Sequence, residues 1–196
     1  PIATLETGLT LTPDDFLDAL PGLPALPDGP VAIYDDDPYF MGGILAEILA
    51  TAGRDVTLMT SGVEVSPWTH NTLEHTRIQT RLMELGVDIR GNLTVKSRTP
   101  DTIDAACVYT GRITSIAART LMLVTSRSPV RTLADALHAQ EAHWPAAGVK
   151  RVAVIGDALA PATIAAAVYA GHRFGREIDA EPGDARFHFA RESIEA

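Results

Sequence analysis

Apolar positions along this chain change their period in a way that orders its elements. Val31 to Tyr34 is a short apolar, β-rich run; after a turn, Met41, Ile44, Leu45, Ile48 and Leu49 recur at helical spacing; past Gly53 comes the β-rich stretch Asp55 to Thr60. Strand, helix and strand within about 30 residues is the size of a βαβ crossover, which favours a parallel sheet. A second helix is predicted over 72–85, with Leu73, Ile78, Leu82 and Leu85 on one face, Glu74, Arg77, Arg81 and Glu84 off it, and Gly86 at the left-handed cap. From Val87 to Thr125 the pattern shortens into β-prone runs broken at Gly91-Asn92, Thr99-Pro100 and Gly111-Arg112, which predicts an antiparallel meander inserted before a final parallel strand. Leu133 to Trp144 reads as a helix ended by Pro145 and Gly148. The string KRVAVIGD, Lys150 to Asp157, reads as a buried strand running into a Gly-Asp turn, and 164–178 as an Ala-rich helix with Val168 and Phe174 on its apolar side.

The two ends differ from this middle. Residues 1–27 read as a connector, crowded with prolines around one short helix signal, in which Thr12 caps, Pro13 takes the first position and Asp15 stands in for the Glu of a capping box. The tail from 181 to 196 has few apolar residues to anchor it. An opening at Pro1 in place of Met points to a processed protein or a piece of a larger one.

Composition narrows the function. With 196 residues and 46% hydrophobic content the chain can bury a core, and a formal charge of -9 without a basic cluster argues against nucleic acid and anionic membrane surfaces as partners. Apolar stretches fall short of the ~20 residues a membrane span needs. One cysteine, Cys107, allows no internal disulfide and no cluster of its own, which favours a cytoplasmic setting, and its place inside a predicted strand suggests a buried structural thiol.

A dinucleotide-binding unit carries its glycine fingerprint directly after the first strand, where the pyrophosphate approaches backbone N–H groups at a helix N-terminus. Here the three glycine positions hold Asp35, Asp37 and Phe40. Two carboxylates would face a dianion, at about 1 to 4 kcal/mol per pair of like charges, and Phe40 would block close packing. Gly42 and Gly43 lie too far into the helix to replace them. The acidic residue that would hold a ribose hydroxyl is also absent, because the second strand ends in Thr60 and Ser61. The Asp triplet has two readings: a cation site of hard oxygen ligands, or carboxylates that satisfy N–H groups and the dipole at the helix start; the second is preferred.

Gly156 and Asp157 sit differently, at the predicted carboxyl end of a strand and just before a helix. That edge of an α/β sheet binds ligands, but Asp157 is equally well placed simply to cap the helix. The histidine pairs His70/His75 and His138/His143 are each five apart and share no helix face, so no metal site is expected from them. No nucleophile elbow occurs, and no catalytic residue is assigned.

Four strings, VAIYDDDPYFMGGILAEILATAGRDVTLMTSG, WTHNTLEHTRIQTRLMELGVDI, TLMLVTSRSP and VAVIGDALAPATIAAAVYAGHRFGREI, together resemble the C-terminal region of the trimethylamine dehydrogenase and histamine dehydrogenase family, relatives of old yellow enzyme. The resemblance covers roughly residues 10 to 180. It implies an α/β fold with a Rossmann-like parallel sheet of the glutathione-reductase NAD-domain type and a small antiparallel β-meander. On it, 28–147 resembles a degenerate NAD-type domain and 148–180 the return strand and helix of an ADP/FAD-type domain, with Gly156 and Asp157 near the bound nucleotide as cofactor-binding residues. The parent enzyme would carry FMN, a [4Fe–4S] cluster and ADP, none of them assigned to this chain. Its partners would be the remainder of the parent polypeptide, with its flavin barrel and other half of the ADP domain, and an electron-transfer flavoprotein. The alternatives are an NAD(P)H-binding domain of a dienoyl-CoA reductase-like enzyme, which the Asp-filled turn speaks against, and a separate interaction subunit.

Overall fold

A computed structural model of the chain describes residues 8–19 and 26–179. They fall into two units divided between Ser126 and Arg127, so that residues 127–147 group with the second unit.

The first unit is built on a parallel sheet of five strands in the order β1-β8-β2-β3-β4: β1 (Leu9–Leu11), β8 (Thr120–Val124), β2 (Val31–Asp35), β3 (Val56–Met59) and β4 (Asp88–Arg90). Period-two alternation decides what each face buries. Val31 and Ile33 of β2, Val56 and Leu58 of β3, and Met122 and Val124 of β8 join a core with Phe16 of α1 (Pro13–Leu17), Leu45 and Leu49 of α2 (Met41–Thr51) and Leu82 of α3 (His75–Glu84). Their neighbours Ala32, Tyr34, Met59 and Leu121 point the other way. They pack on a three-stranded antiparallel sheet, β5 (Leu93–Arg98), β6 (Thr102–Cys107) and β7 (Ile113–Ala117), through Val95, Ile103, Ala105 and Ile116. The result is helices, parallel sheet and meander in three layers, in agreement with the fold class read from the sequence. β2–α2–β3 is the expected crossover, with Val31 opposite Val56 in a parallel pair.

The departures from expectation have local causes. β1 lies within the stretch read as a connector. It pairs with β8 from Leu9↔Thr120 onward, and the buried Arg98 secures it by donating to the carbonyl of Leu9 and to Thr10 Oγ1 (2.9 Å). β4 belongs to the parallel sheet and not to the meander, because the chain first hooks onto the end of β3, with Thr60 N donating to Arg90 O (3.0 Å) and Asn92 N to Gly62 O (2.7 Å). Gly91 permits this approach: a Cβ there would stand 2.4 Å from the Val63 carbonyl oxygen. α3 starts at His75, and Leu73, expected on its apolar face, sits at φ +60° and 92% exposed.

In the second unit the helix expected over 133–144 divides into α4 (Thr132–His138) and a 3-10 turn at Glu141–His143, with Trp144 Nε1 donating to Leu137 O (2.9 Å). The buried strand expected at 150–157 does not form. Val152 and Val154 are half-buried, Arg151, Ala153 and Ile155 are exposed, and Gly156–Ala158 is a 3-10 turn. An apolar run becomes a strand only where a neighbour takes its N–H and C=O groups, and no strand of the second unit does so among the described residues. α5 (Ile164–Glu177) forms as expected, capped by Thr163. The tail at 181–196 lies outside the described residues. No helix among those described is long and apolar enough to cross a membrane.

Candidate functional site

The carboxyl ends of β2 and β3 form the edge at which an α/β sheet of this kind takes its ligand. Here the side chain of Asp35 fills the space between the end of β2 and the first turn of α2. Asp35, the last residue of β2, is 1% exposed; one carboxylate oxygen accepts from Asp37 N (3.1 Å), and Oδ2 has no hydrogen-bond partner. Burial pushes its pKa up to about 7, and the nearby Asp37 and Asp36 charges add to the rise against the lowering effect of the Asp37 N–H. A carboxyl group without a second partner holds its proton because the charged form has lost its water.

Gly42 in the first turn of α2 makes the room. A Cβ at that position would lie 2.2 Å from Asp35 Oδ2 and 2.8 Å from Asp35 Cβ. The helix therefore approaches the strand end closely, as a fingerprint glycine would allow, but the space gained receives a carboxyl group. The other two carboxylates are engaged nearby: Asp37 Oδ1 accepts from Tyr39 N (3.2 Å), and Asp36 Oδ1 accepts from the Ser61 hydroxyl (2.6 Å). So the Asp triplet satisfies N–H and O–H groups of its own turn and of β3's end, while the N-cap of α2 is Phe40, which makes no side-chain cap bond. The preferred sequence reading needs this adjustment: the carboxylates serve the turn, not the helix terminus.

Beside this joint, on the meander side, a cavity of about 450 Å³ is lined by Tyr34, Asp36 and Ser61 from the parallel sheet and by Thr94, Lys96 and Cys107 from the meander. Tyr34 spans the two layers, its hydroxyl 3.4 Å from Thr94 Oγ1. Cys107 ends β6 and is half-buried, so the expectation of a buried thiol is not met; hydrogen bonds from Thr110 and Tyr109 lower its pKa. Sequence reasoning missed this cavity because its lining comes from strands of two different sheets.

The cofactor residues expected from sequence lie in the second unit. Gly156 adopts φ +58°, and the exposed Asp157 accepts from Ala162 N (3.4 Å), a loop amide ahead of α5, whose own cap is Thr163. Asp157 is thus not the helix cap. Nor are His70 and His75 as separate as their spacing suggested. A 3-10 turn at Pro67–His70 and the start of α3 bring their rings into a stack 3.8 Å apart beside Glu64.

Comparison with known proteins bears on this geometry. The profile of the OYE-like second alpha/beta domain matches residues 21–113. Dimethylamine dehydrogenase of Hyphomicrobium sp. (strain x) is 33% identical over 171 residues, which are 78% of this chain and 23% of that protein. The structure of histamine dehydrogenase from Rhizobium sp. 4-9 matches 100% of this chain and 30% of its own, with a TM-score of 0.87 at 43% identity. The chain belongs to the trimethylamine dehydrogenase family. A further similar structure, 6-hydroxypseudooxynicotine amine oxidase from Pseudomonas geniculata N1, aligns with 85% of this chain over 24% of its own, at 35% identity and a TM-score of 0.73.

This chain spans 23–30% of the length of these relatives. The matched profile ends at residue 113, so it takes in the β2–α2 joint and most of the meander and leaves Gly156 and Asp157 outside. As a member of the trimethylamine dehydrogenase family, the chain presents at that joint three carboxylates and no fingerprint glycine.

Proposed function

We propose that this chain is the nucleotide-fold region of an FMN- and iron–sulfur-containing amine dehydrogenase-like oxidoreductase, with a structural role and no turnover of its own. The observation that supports this best is the Asp35 carboxyl group buried against Gly42, in the space a pyrophosphate would need. A dinucleotide placed there would meet a buried acid and the Asp36 and Asp37 carboxylates, with no backbone cradle to offset them. The NAD-type site is therefore degenerate.

In this reading 28–147 is the degenerate domain, although 127–147 group with the second unit, 148–180 returns to an ADP-type domain, and 1–27, which lends β1 to the sheet, and 181–196 are connector and tail. Gly156 and Asp157 add to an ADP shell: an exposed carboxylate at a turn suits a ribose hydroxyl better than a phosphate, and α5 already has its first-turn N–H taken by Thr163. FMN and the cluster belong to the remainder of a longer polypeptide, since a [4Fe–4S] centre needs four thiolates and this sequence has one. The relatives' names point to an amine as the parent's substrate, and an electron-transfer flavoprotein in the cytoplasm is the proposed electron acceptor.

The test is isothermal titration of the purified chain with NADH, NADPH and ADP, after its absorption spectrum has been recorded. No flavin band and no heat with either nicotinamide are expected. Micromolar NAD(P)H binding would overturn the reading in favour of an NAD(P)H-using reductase domain. For the ADP shell, Asp157→Ala in the longer parent polypeptide should lower the ADP retained on purification, read by mass spectrometry; unchanged ADP would remove Asp157 from the shell.

A further inference from the structure

Away from the strand-end site, three side chains that a metal ion favours converge on one point. Glu64 follows β3, His70 ends the 3-10 turn Pro67–His70, and His75 opens α3. The two imidazoles stack with centroids 3.8 Å apart and planes 21° from parallel, and each presents its Nε2 edge to Glu64. That edge meets one carboxylate: His70 Nε2 lies 2.7 Å from Glu64 Oε1 and His75 Nε2 3.6 Å from Oε2. All three ligand atoms lie within 4.8 Å of one another.

The backbone fixes this convergence. Thr69 Oγ1 donates to Ser66 O (2.7 Å), Thr72 Oγ1 to Thr69 O (3.1 Å), and Glu74 N to Thr69 O (3.1 Å), closing the loop between the two histidines. Around the cluster the supporting bonds remain satisfied when His75 Nε2 gives up its proton. The Val65 carbonyl, 3.3 Å from that nitrogen, also accepts from Gln79 Nε2 (3.1 Å). His75 is buried, while the side chains of Glu64 and His70 are 42% and 58% exposed, which leaves a path for an ion and a position for water.

Without an ion, each neutral ring can donate an Nε2–H to its own oxygen of Glu64, His70 to Oε1 and His75 to Oε2. A divalent cation in the same place satisfies both neutral rings and the carboxylate together. Tetrahedral zinc with bonds of about 2.0–2.1 Å places its ligand atoms about 3.3 Å apart. The separations of 2.7 and 3.6 Å to Glu64 bracket that value, and because rings only 21° from parallel aim their lone pairs side by side, the exposed His70 ring must turn for both to meet one ion. Two imidazoles and one carboxylate select a zinc-class transition ion over Mg²⁺ or Ca²⁺, which prefer oxygen shells.

We propose that Glu64, His70 and His75 bind a divalent transition-metal ion of the zinc class, with its fourth position open to solvent, pinning the loop between β3 and α3. The proposal is independent of the reading of the nucleotide site.

The experiment titrates the chelator-treated chain, free of any polyhistidine tag, with Zn²⁺ by calorimetry and with Co²⁺ by visible absorption. One equivalent should bind, and zinc should shift the imidazole proton resonances of His70 and His75 in the unsubstituted chain. His70→Ala and Glu64→Gln alter exposed side chains, and each should weaken zinc binding roughly tenfold or more with the metal-free thermal transition unchanged. The paired control His138→Ala with His143→Ala should bind as the parent does. Absence of binding, zinc shifts confined to other histidines, equal affinity in His70→Ala and Glu64→Gln to that of the unsubstituted chain, or loss of binding only in the control would each overturn the proposal.

Discussion

Two strand-to-helix joints in this chain begin from similar sequence and end in opposite structures. Val31–Asp35 runs into α2, and Val152–Asp157 runs toward α5; both are apolar runs that end at an acidic residue before a helix. The first is a strand buried at every position, flanked by β8 and β3. The second forms no strand, and from Arg127 to Asp179 no residue is buried. Local pattern is equal in the two, so the difference is the presence of a neighbour that pairs the backbone and covers the side chains. Under the proposed function, the second joint would gain those neighbours from another part of a longer polypeptide.

The sharpest test compares a truncation in the strand that flanks the first joint with one inside the second joint. Leu58→Ala removes a fully buried side chain from β3 and is expected to lower stability by about 2–5 kcal/mol. Val154→Ala removes a half-buried one from the second joint and should stay within about 0.5 kcal/mol. Urea denaturation followed by far-UV circular dichroism measures both. A loss at Val154 close to that at Leu58 would break the comparison.

Next in size is the pH dependence that Asp35 gives to the first joint. Its folded pKa of about 7 stands above the 3.8 of an ordinary Asp, so between those values the folded state holds a proton that the unfolded chain releases. The contribution is fully present below about pH 4, is lost as pH rises toward 7, and levels off above. On the order of 2–4 kcal/mol is at stake. Asp35→Asn cannot ionise, so the difference between its stability curve and that of the parent chain should carry this slope. Parallel curves from pH 4 to 8 would mean that Asp35 is ionised when folded.

How much of this was legible in the sequence follows from the range of the interactions. Short-range features were readable. The Thr12 capping box is present, with Thr12 N donating to Asp15 Oδ2 (2.8 Å) and Asp15 N to Thr12 Oγ1 (3.3 Å), and Gly86 takes φ +77° where α3 ends. The crossover also follows from period and turn residues alone, and so does the meander apart from β4, which pairs with β3 in the parallel sheet. What was not readable depends on contacts distant in sequence. β1 is a strand because β8, more than 100 residues later, pairs with it. That Asp35 is hostile to a pyrophosphate is plain from its position, but its burial depends on how closely α2 approaches. Likewise a five-residue histidine spacing is uninformative until a left-handed Ser66 and a 3-10 turn fold it back on Glu64.

Glycines sharpen the contrast at a smaller scale. Gly42→Ala would drive a Cβ into the Asp35 carboxyl group, which the sheet holds in place, at a cost of about 1–3 kcal/mol. Because the closest atoms are Oδ2 and Cγ, Asp35→Ala in the same chain should recover part of that loss. Gly171 in α5 has nothing within 4 Å of where a Cβ would stand, so Gly171→Ala should gain up to about 1 kcal/mol of local helix stability from propensity alone. Thermal unfolding separates the signs. A neutral Gly42→Ala would show that the α2 approach is looser than the buried carboxyl requires.

The smallest effect concerns what holds α5 in place of packing. α2 has no side-chain cap and stands on the burial of Leu45, Ala46 and Leu49, whereas α5 has no buried residue and opens with Thr163 Oγ1 accepting from Ala166 N (3.4 Å). An isolated helix of this length is marginal in water, so its cap is a large share of its local stability. Thr163→Ala should cost about 0.5–1 kcal/mol and act on α5 alone. Amide hydrogen exchange can see this, since α5 protons exchange through local opening while those of β2, β3 and β8 exchange only when the first unit unfolds. The variant should speed exchange at Ala167 to Gly171 several-fold and leave Ile33, Leu58 and Leu121 unchanged. Faster exchange in both sets would mean that the two units unfold together, and that the second joint draws stability from the first.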